Sequence, residues 1–177
     1  MKTRLGAALC VACCTLLYTP TFAHTRVYLM RGLGGLLLSD AMDQIGAKLR
    51  RPGIVVNVGD WSDASRFALD AEAHPHDRDV LIGHSMGARA AGEIGTLLKS
   101  RGLNVKVIGI DPLFTGALVG AGVDAICFYG QGWPMQGAHN VLIQSSYGHI
   151  GYGADPRVQS RVIAAALGGD ALLNKAH

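Results

Sequence analysis

Asp79-Val80-Leu81-Ile82-Gly83-His84-Ser85-Met86-Gly87 runs an apolar, strand-forming segment straight into a serine with a glycine two positions away on each side. Beyond it, Met86 to Lys99 reads as a helix that begins at the turn. A strand turning sharply into a helix lifts the intervening hydroxyl out of the sheet, and the glycines relieve the crowding that the tight turn creates. A serine hydroxyl is a weak nucleophile until a base takes its proton. The stretch therefore directs attention to a histidine and an acid elsewhere in the chain.

Strands and helices alternate on both sides of this turn. Arg26 to Met30 reads as a buried strand and Arg31-Gly32-Leu33-Gly34-Gly35 as the turn at its end. Ser39 is placed to cap a helix in which Met42, Ile45 and Leu49 recur at helical spacing, until Pro52-Gly53 stops it. Ile54 to Val58 is the next strand, followed by Gly59-Asp60, a helix from near Ser62 to Ala73, and the polar stretch His74 to Arg78. After the serine-bearing strand and its helix come strands at Val105 to Ile110, Ala125 to Tyr129 and Val141 to Gln144, then a helix from near Pro156 to Leu167. Near-continuous apolar strands alternating with helices predict an α/β fold, a mostly parallel five- or six-stranded sheet covered on both faces. Ligands of such sheets bind beyond the carboxyl ends of the strands. Arg31 to Gly35, Asp60, Ser85, Asp111, Gly130 to Met135 and His149 all follow predicted strands and can share that edge.

Met1 to Ala23 stands apart. Lys2 and Arg4 precede an apolar stretch from Leu5 to Leu17, and Thr21-Phe22-Ala23 has small residues at the two positions a signal peptidase inspects. It reads as a secretory signal cleaved before His24, its apolar core shorter than the roughly 20 residues that span a bilayer. The expectation is a signal over 1–23 and a single domain over 24–177, exported to a periplasm or the medium, with no membrane span after cleavage. Cys10, Cys13 and Cys14 leave with the signal, so Cys127 is alone and reads as a small buried hydrophobe. The formal net charge of +3 falls to +1 without Lys2 and Arg4. No basic run is left, which argues against nucleic acid as a partner.

The chain resembles the α/β-hydrolases, in particular the small lidless lipases and esterases, over essentially the whole region after the signal. In that family the chain order is nucleophile, acid, histidine, and Ser85, Asp111 and His149 stand in that order, each just after a strand. The resemblance implies Ser85 as nucleophile, His149 as general base and Asp111 as the acid that orients it. Of the other histidines, His84 lies inside the turn, His74 and His76 in a polar loop, His139 before a strand, and His24 and His177 near the termini. Many relatives carry the acid one strand later, but Gly130-Gln131-Gly132-Trp133-Pro134 has no carboxylate. Asp124 precedes its strand, and Asp155 reads as the cap of the final helix. The resemblance also implies two backbone donors to the developing oxyanion, from Met86 and from the Arg31 to Gly35 loop, with Leu33 the first choice and Gly32 the reserve. Arg31 stands where histidine is usual. The opening antiparallel strands of larger relatives are missing, and only about a dozen residues separate the Asp111 strand from the Ala125 strand, too few for the helical cap of larger relatives.

No cofactor or metal is expected. His74-Pro75-His76-Asp77 lacks a third cluster of ligands, and Gly32-Leu33-Gly34-Gly35 lacks the lysine and hydroxyl of a phosphate-binding loop. Leu113, Phe114, Trp133 and Met135 either line an acyl pocket or belong to the core. The sequence thus predicts an exported serine hydrolase with an open site, acting on carboxylic esters or thioesters of small or amphipathic acyl groups. A catalytically silent relative that binds a ligand, and an acyltransferase using the same three residues, stay open beside it, as does the oligomeric state.

Overall fold

The computed structural model describes residues 24–113 and 116–169. The signal reading over Met1 to Ala23, and Phe114, lie outside the described residues. The elements run β1 (Thr25–Arg31), α1 (Ala41–Leu49), β2 (Ile54–Asp60), α2 (Ala64–Glu72), β3 (Arg78–His84), α3 (Met86–Ser100), β4 (Asn104–Ile110), β5 (Asp124–Tyr129), β6 (His139–Leu142), α4 (Gly148–Gly151) and α5 (Pro156–Ala166). All pairings among the six strands are parallel, in the order β2-β1-β3-β4-β5-β6.

Alternation along each strand divides the core between two faces. Tyr28, Met30, Leu81, Val105, Val107 and Cys127 point to the face covered by α2 and α3, where Phe67, Ala91, Ile94 and Leu98 meet them. Val27, Leu29, Val80, Ile82, Ile108 and Phe128 point to the other, against Met42, Ile45 and Leu49 of α1 and Val158 and Val162 of α5. Cys127 is a free, buried cysteine on the first face, and burial pushes its thiol up to about 12.

The boundaries differ from the sequence reading mainly at helix starts. Ser39 does accept a hydrogen bond at a helix start, from the amide of Ala41 at 3.2 Å, but Asp40 is the residue before α1. The helix expected from Ser62 is two pieces, a single 3-10 turn over Trp61–Asp63 and then α2. Asp155 caps α5 as expected, its side chain accepting from the Arg157 amide at 2.8 Å.

The amino-terminal edge of the sheet gathers charge. Arg26 donates to Asp77 at 2.7 Å and to Asp70 at 3.2 Å, and the Tyr28 hydroxyl donates to Asp70 at 2.8 Å. Asp79 lies fully buried beside them on β3, and neither of its carboxylate oxygens has a hydrogen-bond partner among the described residues. Burial, reinforced by the neighbouring Asp77 carboxylate, pushes Asp79 up to about 7.

Candidate active site

Ser85 sits between β3 and α3 with a left-handed φ of 57°. That geometry is costly for a residue with a side chain and persists only where its surroundings enforce it. Here the Ser85 amide donates to the Ile110 carbonyl at 3.0 Å, tying the turn to the end of β4. The two glycines of the motif are sterically required: a methyl on Gly83 would collide with the Gly87 carbonyl, and one on Gly87 with the Met30 carbonyl. The register Met30↔Gly83 places the loop after β1 directly beside the turn.

Asp111 also has a left-handed backbone, with φ 44°. Its Oδ1 accepts three backbone amides, from Gly130 at 2.8 Å, Gln131 at 3.0 Å and Gly132 at 2.7 Å. The loop after β5 that lacks a carboxylate is therefore the cradle for the one carried by β4. Its Oδ2 is 2.8 Å from His149 Nδ1, and His149 Nε2 is 3.0 Å from Ser85 Oγ. Burial alone would raise the Asp111 carboxyl, but hydrogen bonds from His149 and from the amides of Gly130 and Gly132 hold it below its ordinary value. An ionised carboxylate only accepts, so the ring proton of His149 sits on Nδ1 and Nε2 is left to accept from the Ser85 hydroxyl. His149 was expected in a loop; it lies on α4, a single helical turn.

His84, set aside in the sequence as a residue of the turn, supports His149 from below. Its ring stacks on the His149 ring with centroids 5.0 Å apart, and its Nε2 lies 3.0 Å from the His149 carbonyl oxygen. Burial, with the His149 ring beside it, pushes His84 down to about 4, so at neutral pH it is uncharged and donates Nε2–H to that carbonyl. The only sequence signal for this role was adjacency to Ser85, which does not reveal a contact 65 residues away.

On the other flank stands the turn after β1. The backbone of Gly32 packs on the serine: a methyl there would lie 2.8 Å from Ser85 Cβ and 3.1 Å from the His84 carbonyl oxygen. Gly32 and Leu33 line the same cavity as Ser85. Met86 is the first residue of α3, and amides of a first helical turn have no carbonyl partner within the helix. Arg31 takes over the anchoring of this turn. It makes a two-pronged pair with Asp43 of α1, at 2.8 and 2.6 Å, and reaches Asp60 at the end of β2 at 3.2 Å. Paired this way, Arg31 fixes the turn between α1 and β2.

The described residues between β4 and β5 form no helical cap. Loops 32–39, 112–123, 130–138 and 143–154 contain no Asp, Glu, Lys or Arg, and exposed Leu33, Leu36, Leu37, Leu38, Leu113 and Ile150 lie on them. Of the proposed pocket residues, Leu113 lines the cavity beside Ser85. Met135 instead is fully buried on the far face of the sheet, with its Cε against Gly109, and Trp133 is an exposed surface residue outside the cavity lining. Among the described residues no group of three or more His, Cys, Asp or Glu side chains is placed to hold a metal ion, and no helix is long and apolar enough to cross a membrane.

Solved structures share a similar fold over about four fifths of the chain. A Xanthomonas campestris pv. campestris protein assigned to the α/β hydrolase superfamily aligns over 81% of this chain and 98% of its own, with 19% identity and a TM-score of 0.56. The chain has the α/β-hydrolase fold. Human thioesterase 2 aligns over 81% of this chain and 98% of its own at 10% identity and a TM-score of 0.54. A cutinase-like protein from Cryptococcus sp. aligns over 82% and 95% at 18% identity and a TM-score of 0.53. No protein-family model matches the chain, and no curated protein does so. Within the α/β-hydrolase fold, β1 and β3 are adjacent parallel strands, so the turn carrying Ser85 and the turn carrying Gly32 are neighbours by register.

Proposed function

We propose that the chain is an exported serine hydrolase that cleaves a carboxylic ester or thioester through an acyl-enzyme on Ser85. The observation that carries this reading is the unbroken hydrogen-bond path from Ser85 Oγ through both ring nitrogens of His149 to Asp111. The α/β-hydrolase neighbours include a thioesterase and a cutinase-like protein, which supports acyl transfer as the chemistry.

In the proposed reaction His149 Nε2 takes the Ser85 proton as Oγ attacks the substrate carbonyl. Negative charge gathers on the carbonyl oxygen, where the amides of Met86 and Leu33 are the proposed donors. As the tetrahedral intermediate collapses, the bond to the alcohol or thiol breaks and His149 gives that leaving group the proton. Water then enters, His149 takes one of its protons, and the Ser85 ester is hydrolysed to a carboxylic acid with Ser85 restored. A silent relative would follow from Asp111 or His149 standing out of reach; both contacts lie within hydrogen-bond range, which supports the catalytic reading.

The test is labelling of the protein without residues 1–23 by a fluorophosphonate probe, alongside Ser85→Ala and His149→Ala. Labelling of wild type, absent in Ser85→Ala and reduced at least a hundredfold in rate in His149→Ala, is expected. A folded wild type that does not label would overturn the reading. Export is tested by the mass of the protein recovered outside the cytoplasm, expected to begin at His24.

A further inference from the structure

The cavity at Ser85 has a volume of about 240 Å3 and is walled by Leu33, Leu38, Ala41, Met42, Leu113 and Ile150. Its polar lining is the reacting pair itself, Ser85 and His149, together with His84, Ser39 and Arg31. Arg31 is already committed to Asp43 and Asp60, so the cavity offers no free charge to a ligand. Met42 is buried on the first turn of α1, and its Cε faces Gly153 in the 3-10 turn Tyr152–Ala154. It both lines the cavity and belongs to the buried cluster with Val27, Ile45 and Tyr152, so it stands where cavity and core meet.

Size sets the ligand. A dry apolar cavity of about 150 Å3 accepts benzene, with six carbons, and scaling to about 240 Å3 gives roughly ten non-hydrogen atoms. On the far side of the Gly32 turn a wider groove of about 430 Å3, bordered by Gly34, Leu37, Asp60 and Trp61, opens to solvent. A leaving group must depart and admit water before the second half of the reaction, so it belongs on a side that opens to solvent. The acyl group stays bound throughout and suits the apolar cavity.

We propose that this cavity holds an uncharged, unbranched acyl group of about octanoyl size, and that Met42 sets its length limit. The inference rests on the serine-hydrolase reading above and deepens it. Burying one methylene contributes about 0.8 kcal/mol, close to fourfold. Across p-nitrophenyl esters from acetyl to palmitoyl, kcat/KM is therefore expected to rise by up to about fourfold per methylene to a maximum near eight carbons and then fall. A monosuccinyl ester, matched in non-hydrogen atoms to a hexanoyl ester but negatively charged, should be at least tenfold poorer than it.

Met42→Ala removes three side-chain atoms from the floor and should move the maximum two to three carbons longer. Leu38→Trp, at a half-exposed position on the mouth where the fold tolerates change, should move it shorter. Acetate esters of alcohols of increasing length serve as the opposite arm, and a flat response is expected. Fluorophosphonate labelling is measured on every variant. If Ser85 does not label, the serine-hydrolase reading fails. If Ser85 labels but the acyl series is flat, or alcohol length governs the rate, or neither variant moves the maximum, the pocket assignment fails while that reading stands.

Discussion

Replacing Asp111 by asparagine tests the serine-hydrolase reading through a proton. Oδ1 of Asp111 faces three backbone N–H groups at 2.7 to 3.0 Å, and Oδ2 faces His149 Nδ1 at 2.8 Å. An amide in the same place has one oxygen and one NH2. Turning the NH2 toward three donors leaves it no acceptor and strips three part-buried amides of theirs, at about 1 kcal/mol or more each. The oxygen must therefore stay in the cradle, and the NH2 must face His149. Nδ1 then has to accept, the ring proton moves to Nε2, and Nε2–H points at Ser85 Oγ as a donor that cannot take its proton. The comparable substitution in a serine protease lowers kcat about 10⁴-fold, or about 5.5 kcal/mol, and the same order is expected here for the rate of fluorophosphonate inactivation at pH 8. Because the cradle keeps its acceptor, thermal stability should fall by only about 1 to 3 kcal/mol, the loss of the charge on those bonds. Asp111→Ala leaves all three amides unpaired and should be the less stable of the two. An Asp111→Asn protein that labels within tenfold of wild type would refute the tautomer argument.

Asp79 makes stability depend on pH in the direction opposite to a paired carboxylate. It titrates near 3.8 when unfolded and near 7 when folded, so between those values folding takes up a proton and stability falls as pH rises. At about 1.4 kcal/mol per tenfold change in proton affinity, the cost approaches about 4 kcal/mol above pH 7. Asp79→Asn should match wild type in urea unfolding near pH 4 and exceed it increasingly up to pH 7.5; a difference that does not grow with pH would sink the idea. His84, pushed down to about 4, contributes the reverse slope, with stability lost as pH falls from 6.5 toward 4, and His84→Phe should remove that slope in the same assay. His84→Phe keeps the stacked ring but loses the bond to the His149 carbonyl, and should lower kcat about tenfold with KM nearly unchanged, about 1.4 kcal/mol of lost positioning. Gly32→Ala puts a methyl 2.8 Å from Ser85 Cβ and should slow labelling at least a hundredfold, while the melting temperature measured by circular dichroism falls by only a few degrees.

The parts of this molecule legible in its sequence are those governed by short-range pattern. The turn at Ser85 could be read because strand, serine and helix follow one another within a few residues, with Gly83 answering to the Gly87 carbonyl only four positions on, and the parallel sheet because apolar strands alternate with helices. Asp111 was reached by position after β4. What held Asp111 was invisible, since the amides of Gly130, Gln131 and Gly132 carry no side-chain signature and stand about 20 residues away in sequence. Arg31 read as a departure from the family's histidine; only folding brings Asp43 and Asp60 to it from two different elements. Met135 and Trp133 show the converse limit. Their loop ends at the correct edge of the sheet, but which face a side chain takes depends on the path of the loop, and the core claimed Met135.

A parallel sheet sends every strand toward one edge and returns every helix to the other, so the turns at the two edges answer to different constraints. The returning turns contain Gly53, Gly102 and Gly122, whose left-handed backbones favour glycine but which open directly onto empty space. A seven-residue strand is about 23 Å long, so an insertion at these turns lies a full strand length from Ser85. The back of the molecule is thus a natural place for a tether, a tag or a fused domain. A protein immobilised through an insertion in the turn at Gly102 would present its uncharged, leucine-rimmed mouth outward, with the reactive hydroxyl facing the solution.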